Sequence, residues 1–221
     1  MRWLMFSVAL PLILSSCECK EIKLCNIDDL TNLKNEFIQQ IHSEDGDGGP
    51  YSFNYKFRTI FSSQEVNSLF GELTVHDRLP HGWKYYEGKT FCNINNRRAE
   101  ISLRDLFPTD KQREFLRLIC ENSLKKEPVS YFSGNEPLHT SLTQDDINTF
   151  VVDDQHLIII FQPYIVGGGA DGPFFVKIPF TDLRGHWEDS HPLLSHLKKA
   201  VTSRAFTSSW DLEQFYEHLD Q

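Results

Sequence analysis

The sequence predicts an α+β fold in a single domain, an antiparallel twisted sheet with helices packed on one face. Three observations carry this expectation. Tyr51, Phe53, Tyr55 and Phe57 alternate with Ser52, Asn54, Lys56 and Arg58, a period of two that sends four rings to one side of a strand. Ile27, Leu30, Leu33, Phe37, Ile38 and Ile41 recur at helical spacing, as do Phe115, Leu116, Ile119, Cys120 and Leu124. His156 to Phe161 is an unbroken apolar run of the kind that fills a central strand.

Taken in order, Asn26 is an N-cap for the first helix, and Asp45 to Gly49 are turn chemistry that ends it. The aromatic stripe of residues 51–58 is expected to face the core. Strands follow over Val66 to Val75, Trp83 to Ile94 and Ala99 to Leu103, the last two joined across Asn95 and Asn96. A second helix begins after Thr109 with Asp110 in its first turn and closes at Lys125 and Lys126 before Pro128. Thr143 to Asn148 reads as a short capped helical turn, Phe150 to Val152 as a strand, and Phe174 to Phe180 as the partner of His156 to Phe161. Pro192 to Val201 and Ser209 to Leu219 read as helices.

The start of the chain points to export. Leu14, Ser15, Ser16 and Cys17 follow an apolar stretch from Trp3 to Leu14, too short to remain as a membrane span. Residues 1–16 therefore read as a lipoprotein signal peptide, Cys17 as the lipidated first mature residue and residues 17–25 as a tether to the domain of residues 26–221. Acyl chains such as palmitate, at about 0.8 kcal/mol per buried methylene, anchor the chain to the outer side of a bacterial membrane, periplasmic or cell-surface. A net charge of -9 argues against nucleic acid as a partner. The remaining thiols are Cys19, Cys25, Cys92 and Cys120. Of the three possible pairings Cys92 with Cys120 is favoured, and reduced core thiols are the alternative. Their spacing does not suit zinc, and no cofactor is expected.

Motifs for catalysis are sparse. His186, His191 and His196 are five apart, too far around a helix to share an ion. Asp153, Asp154 and His156 read as a turn with solvated carboxylates. Ser123 with Lys126 and Ser195 with Lys198 match only a serine-x-x-lysine pattern. Glu136 and His139 are an acid and a base without a third group. Gly167, Gly169 and Gly172 satisfy G-x-G-x-x-G, yet Pro173 and Phe174 to Val176 lead into a strand where a dinucleotide site needs a helix. The loop instead offers backbone donors. Its binding candidates are Gly167, Gly168, Gly169 and Gly172, with Tyr164 and Asp171 as orienting side chains.

The block from Phe150 to Trp187 contains Phe161, Gln162, Pro163 and Tyr164, then Gly172, then Ile178, Pro179 and Phe180. With Ile101 to Phe107 upstream, it resembles the extracytoplasmic domain of RsiV-type anti-sigma factors. That domain also accompanies PdaC-type peptidoglycan deacetylases and occurs alone in lipoproteins. The likeness spans about residues 51–187. It implies an envelope location and a nonenzymatic module that binds or senses peptidoglycan or an extracellular protein such as lysozyme. Two alternatives stand beside it, a hydrolase or deacetylase-like enzyme on cell-wall polymer that would use groups such as Glu136, His139 and Asp154, and a structural docking module.

Overall fold

Three long strands set the frame: β1 (Ser52–Ser63), β2 (Val66–His76) and β3 (Trp83–Ile94). The computed structural model describes residues 52–76, 83–128, 130–132, 139, 141–168 and 172–208. The expected helices over 27–41 and 209–219 and the tether and signal residues lie outside these. Strand β3 turns into β4 (Arg97–Glu100) through Asn95 and Asn96, whose φ of 51° and 62° are the two left-handed positions a tight hairpin needs. Asparagine tolerates that conformation better than other side-chain-bearing residues. A short strand that the sequence did not suggest, β8 (Phe206–Ser208), pairs antiparallel with the end of β1. The first sheet therefore runs β4-β3-β2-β1-β8, all antiparallel.

A second antiparallel sheet holds β5 (Phe150–Val152), β6 (His156–Phe161) and β7 (Phe174–Pro179) in that order. Alternation in β5 and β6 assigns its two faces. Val151, Ile158 and Ile160 pack on Ile60, Phe70 and Tyr86 of the large sheet. Phe150, Val152, Leu157, Ile159 and Phe161 face a cluster shared with the helices α1 (Leu103–Leu106) and α2 (Asp110–Leu124). The result is an α+β domain with helices on one side of stacked antiparallel sheets. Helix α3 (Pro192–Ser203) inserts Leu193, Leu197 and Ala200 into the same cluster, beside Val66 and Cys92.

The sheets are fastened where they meet. The Val152 N–H donates to Ser68 Oγ at 2.8 Å. The Gln162 side chain accepts from the Tyr86 N–H at 2.9 Å and donates to the Tyr86 carbonyl, so one amide completes a stretch of β3 ladder. Opposite β5, Gly88 has room for no side chain: a Cβ there would lie 2.7 Å from the Phe150 carbonyl carbon and 2.9 Å from Ile160 Cδ1.

Burial in β1 departs from the expected stripe. Phe57 is 48% exposed and Tyr55 half-buried, while Ile60 to Ser63 are buried. A register shift between Thr59 and Phe61 turns Ile60 and Phe61 both inward, which moves the core to the far half of the strand. Tyr51 and the Phe53 side chain lie outside the described residues. Local caps explain two further differences. Ser102 donates from its N–H and Oγ to Asp105 Oδ2 at 2.8 and 2.7 Å, so the expected strand over Ala99 to Leu103 stops early and a helical turn begins. Thr143 binds Asp146 in the same manner, both contacts at 2.7 Å, and closes a turn that goes no further as helix.

The favoured Cys92–Cys120 bridge is not formed. Both residues are buried free thiols in the main core. Burial, with the charge of Glu65, pushes the Cys92 thiol up to about 11. Burial, with Glu121, likewise pushes Cys120 upward. Both act as small apolar side chains. Cys19 and Cys25 lie outside the described residues.

Candidate binding groove

The glycine-rich loop was the binding candidate of the sequence, and its geometry is that of a packed turn. Tyr164 takes φ of 71°, is 61% exposed, and donates its N–H to the Gly167 carbonyl at 3.0 Å. Gly167 bridges to Ser130, and a Cβ on it would overlap the Phe174 ring, so packing alone requires glycine there. Gly172 sits at φ 75°, ahead of Pro173 and β7. Gly168 is half-buried, and Gly169 and Asp171 lie outside the described residues. Neither cavity described below is lined by this loop.

Instead, a groove of about 600 Å³ opens between the turn after β7 and helix α3. Its apolar lining comes from Phe180, Trp187, Leu194 and Leu197, and its charged lining from Arg184, Lys198, Asp154 and Asp189. The turn that builds the floor is tightly determined. Leu183 is fully buried, Gly185 takes φ of 73°, and the Phe180 N–H donates to the Gln155 carbonyl at 2.9 Å, which ties the groove to the β5–β6 turn. Trp187 packs on Phe180 with centroids 5.5 Å apart and on Phe107 at 6.5 Å. Its indole N–H donates to Asp189 Oδ1 at 2.8 Å, while Asp189 Oδ2 accepts from the Gly185 N–H at 3.2 Å. An aromatic floor with charges of both signs on the rim suits a polar ligand with apolar ring faces.

A second cavity, about 440 Å³, lies between α1, α2 and the turn at 144–148. Its Arg113 is already engaged, donating to the carbonyls of Phe107 and Pro108 at 2.9 and 2.7 Å and to Asp110. This cavity offers a ligand fewer uncommitted charges.

Asp153 departs from the solvated turn expected of it. It is 4% exposed and accepts from the N–H groups of Gln155 and His156 at 2.8 and 2.6 Å. The His156 ring lies 3.0 Å away, and Lys177 Nζ 4.0 Å. Asp154, by contrast, is half-buried at the groove. The histidines have separate duties. His186 stacks on Phe115 at 3.7 Å, His191 caps α3 by accepting from the Leu193 N–H at 3.2 Å, and His196 Nε2 meets the Asn93 carbonyl at 3.1 Å. Among the described residues no three His, Cys, Asp or Glu side chains gather as metal ligands. His139 is exposed beside Tyr131 and Phe132, and Glu136 lies outside the described residues. The Ser195 hydroxyl donates to the Pro192 carbonyl at 2.8 Å within its own helix turn.

The groove was hidden in the sequence because its residues come from three segments. Asp154, the 180–189 turn and one face of α3 meet only after β6 and β7 pair. The run Phe180 to Trp187, with two aromatic residues around Leu183, Arg184 and Gly185, was the available signal.

No curated protein matches the chain. A solved member of the DUF3298 family from Bacteroides fragilis NCTC 9343 is similar in fold, with a TM-score of 0.53 and 16% identity over 80% of this chain and 75% of that one. A DUF3298 family protein from Pseudomonas aeruginosa PAO1 scores 0.48 at 12% identity, covering 68% of each chain. Residues 104–181 match the family described as Protein of unknown function (DUF3298).

Proposed function

We propose that this chain is a cell-envelope lipoprotein, acylated at Cys17, whose domain binds peptidoglycan without chemically altering it. The groove floored by Phe180 and Trp187 and rimmed by Arg184 and Lys198 is the observation that carries this reading. Sugar rings stack on aromatic faces, and peptide carboxylates pair with Arg and Lys. Asp154 and Asp189 would accept from amide and hydroxyl donors of the same polymer. Lysozyme is the second reading, favoured by the net charge of -9, which attracts a basic protein.

Co-sedimentation tests both. Acyl-free protein (Cys17→Ser) should pellet with insoluble sacculi, and Arg184→Glu with Lys198→Glu should lower the bound fraction several-fold. Both side chains are exposed, so the fold should tolerate the changes. Wild-type protein left in the supernatant, or a double variant that pellets equally, overturns the proposal. Capture on immobilised lysozyme without capture on sacculi supports the second reading.

A further inference from the structure

Three charged side chains line the groove with nothing to match their charge. Asp154, Arg184 and Lys198 make no side-chain hydrogen bond or ion pair with any described residue. Asp189, the fourth charge, is already engaged, accepting from the Trp187 indole at 2.8 Å and from the Gly185 N–H at 3.2 Å. The β5–β6 turn divides the two neighbouring carboxylates. Asp153 is drawn inward by the N–H groups of Gln155 and His156. Asp154 stays half-buried at the groove, and the bond from the Phe180 N–H to the Gln155 carbonyl holds this turn against the lining. A half-buried carboxylate without a counter-charge carries a free-energy cost that a cationic ligand group removes. The unmatched set is two cations and one anion, so its complement bears two carboxylates and one ammonium.

We infer that the groove recognises the peptide stem of peptidoglycan in its uncross-linked form, with the side-chain ammonium of the diamino acid still free. The inference rests on the peptidoglycan reading of the groove and narrows it. N-acetylated glycan is uncharged and satisfies none of the three groups. The stem has carboxylates for Arg184 and Lys198 and, before cross-linking, an ammonium for Asp154. Cross-linking turns that ammonium into a neutral amide. Its N–H still donates, but the Asp154 charge is left uncompensated, and the site discriminates by that difference. Leu194 and Leu197 offer apolar surface to the aliphatic chain that carries the ammonium. The volume of about 600 Å³ lies within the range usual for small-ligand pockets, so the contact is with a few stem residues and not with a length of glycan.

Isothermal titration calorimetry with defined fragments tests this. The probes are the uncross-linked disaccharide peptide released by a muramidase, the same compound N-acetylated at its free amine, and glycan stripped of stems by an amidase. The acyl-free full chain (Cys17→Ser) should bind the free-amine muropeptide about five-fold more tightly than the acetylated one, and stripped glycan should give no binding heat. Asp154→Asn should abolish the preference by weakening binding of the free-amine form while leaving the acetylated form unchanged. Equal affinity for the two muropeptides, a preference that survives Asp154→Asn, or stripped glycan that binds as well as the muropeptide overturns the inference and leaves the peptidoglycan reading standing. So does a failure to bind any of the three while sacculi still pellet the protein. Failure to bind sacculi as well removes both.

Discussion

Gly88 separates the two sheets by the absence of a side chain, and alanine there should act as a wedge. The new Cβ would meet the Phe150 carbonyl carbon at 2.7 Å and Ile160 Cδ1 at 2.9 Å, well inside the 3.4 Å at which ordinary contact begins. The obstacle is backbone, with the Phe150 carbonyl oxygen closer still, so β5 or β3 must move by about 1 Å, at a cost near the upper end of the roughly 1–3 kcal/mol usual for overpacking. Gly71 provides a matched comparison one strand away. Its added Cβ would meet the Tyr55 hydroxyl at 2.5 Å, the far end of a side chain that can swing aside. Both substitutions share the intrinsic gain of alanine over glycine, about 0.5–1 kcal/mol, so their difference isolates the steric part. With a urea m-value of about 2 kcal/mol/M, Gly88→Ala should lower the unfolding midpoint by about 1–1.5 M and Gly71→Ala by less than about 0.5 M. Circular dichroism at 222 nm through a urea titration reads both. Equal midpoints would refute the account of how the sheets pack.

Glu121, 5% exposed, accepts from the Leu142 N–H at 2.7 Å and pairs with Arg117. Glu121→Ala should cost about 2–4 kcal/mol by stranding a buried donor, and Glu121→Gln about 1 kcal/mol because an amide oxygen still accepts. Equal losses in chemical denaturation would contradict this division. The His191 pKa is lowered by burial, against the opposing charges of Asp105 and Glu188, and the neutral ring is the form that caps Leu193. A folded pKa below the unfolded one means that the unfolded chain takes up more protons. This contribution is therefore present above about pH 6.5 and lost as pH falls through the folded value. His191→Asn should retain a cap while removing this part of the decline in Tm between pH 7.5 and 5. An unchanged decline in calorimetry would count against it.

Much of the architecture could be read from local chemistry. Asn95 and Asn96 marked the hairpin, Thr109 with Asp110 in the first turn began α2, and the apolar run of β6 identified the centre of the small sheet. These features depend on neighbours in sequence. Legibility failed where distant segments decide the outcome. Three residues of β8 carry no pattern of their own, and Phe206 becomes part of a strand by pairing with Ser63. The half-turn at the Thr59–Phe61 bulge reverses which residues of β1 face inward, so alternation misassigned Phe57. Asp153 looked solvated because its donors belong to the turn that it organises. The groove needed residues from three segments, while in the glycine loop Gly167 is required by packing against Phe174.

The amide of Gln162 gives the molecule a mechanical character. Because it both donates to and accepts from one residue of β3, parting the sheets at this point breaks a pair of hydrogen bonds together. If the groove binds as proposed, its surface is shaped before the ligand arrives, and the exposed rim side chains Arg184 and Lys198 are the ones free to adjust. On the proposed reading, selectivity depends on how well a ligand fits that surface as it stands.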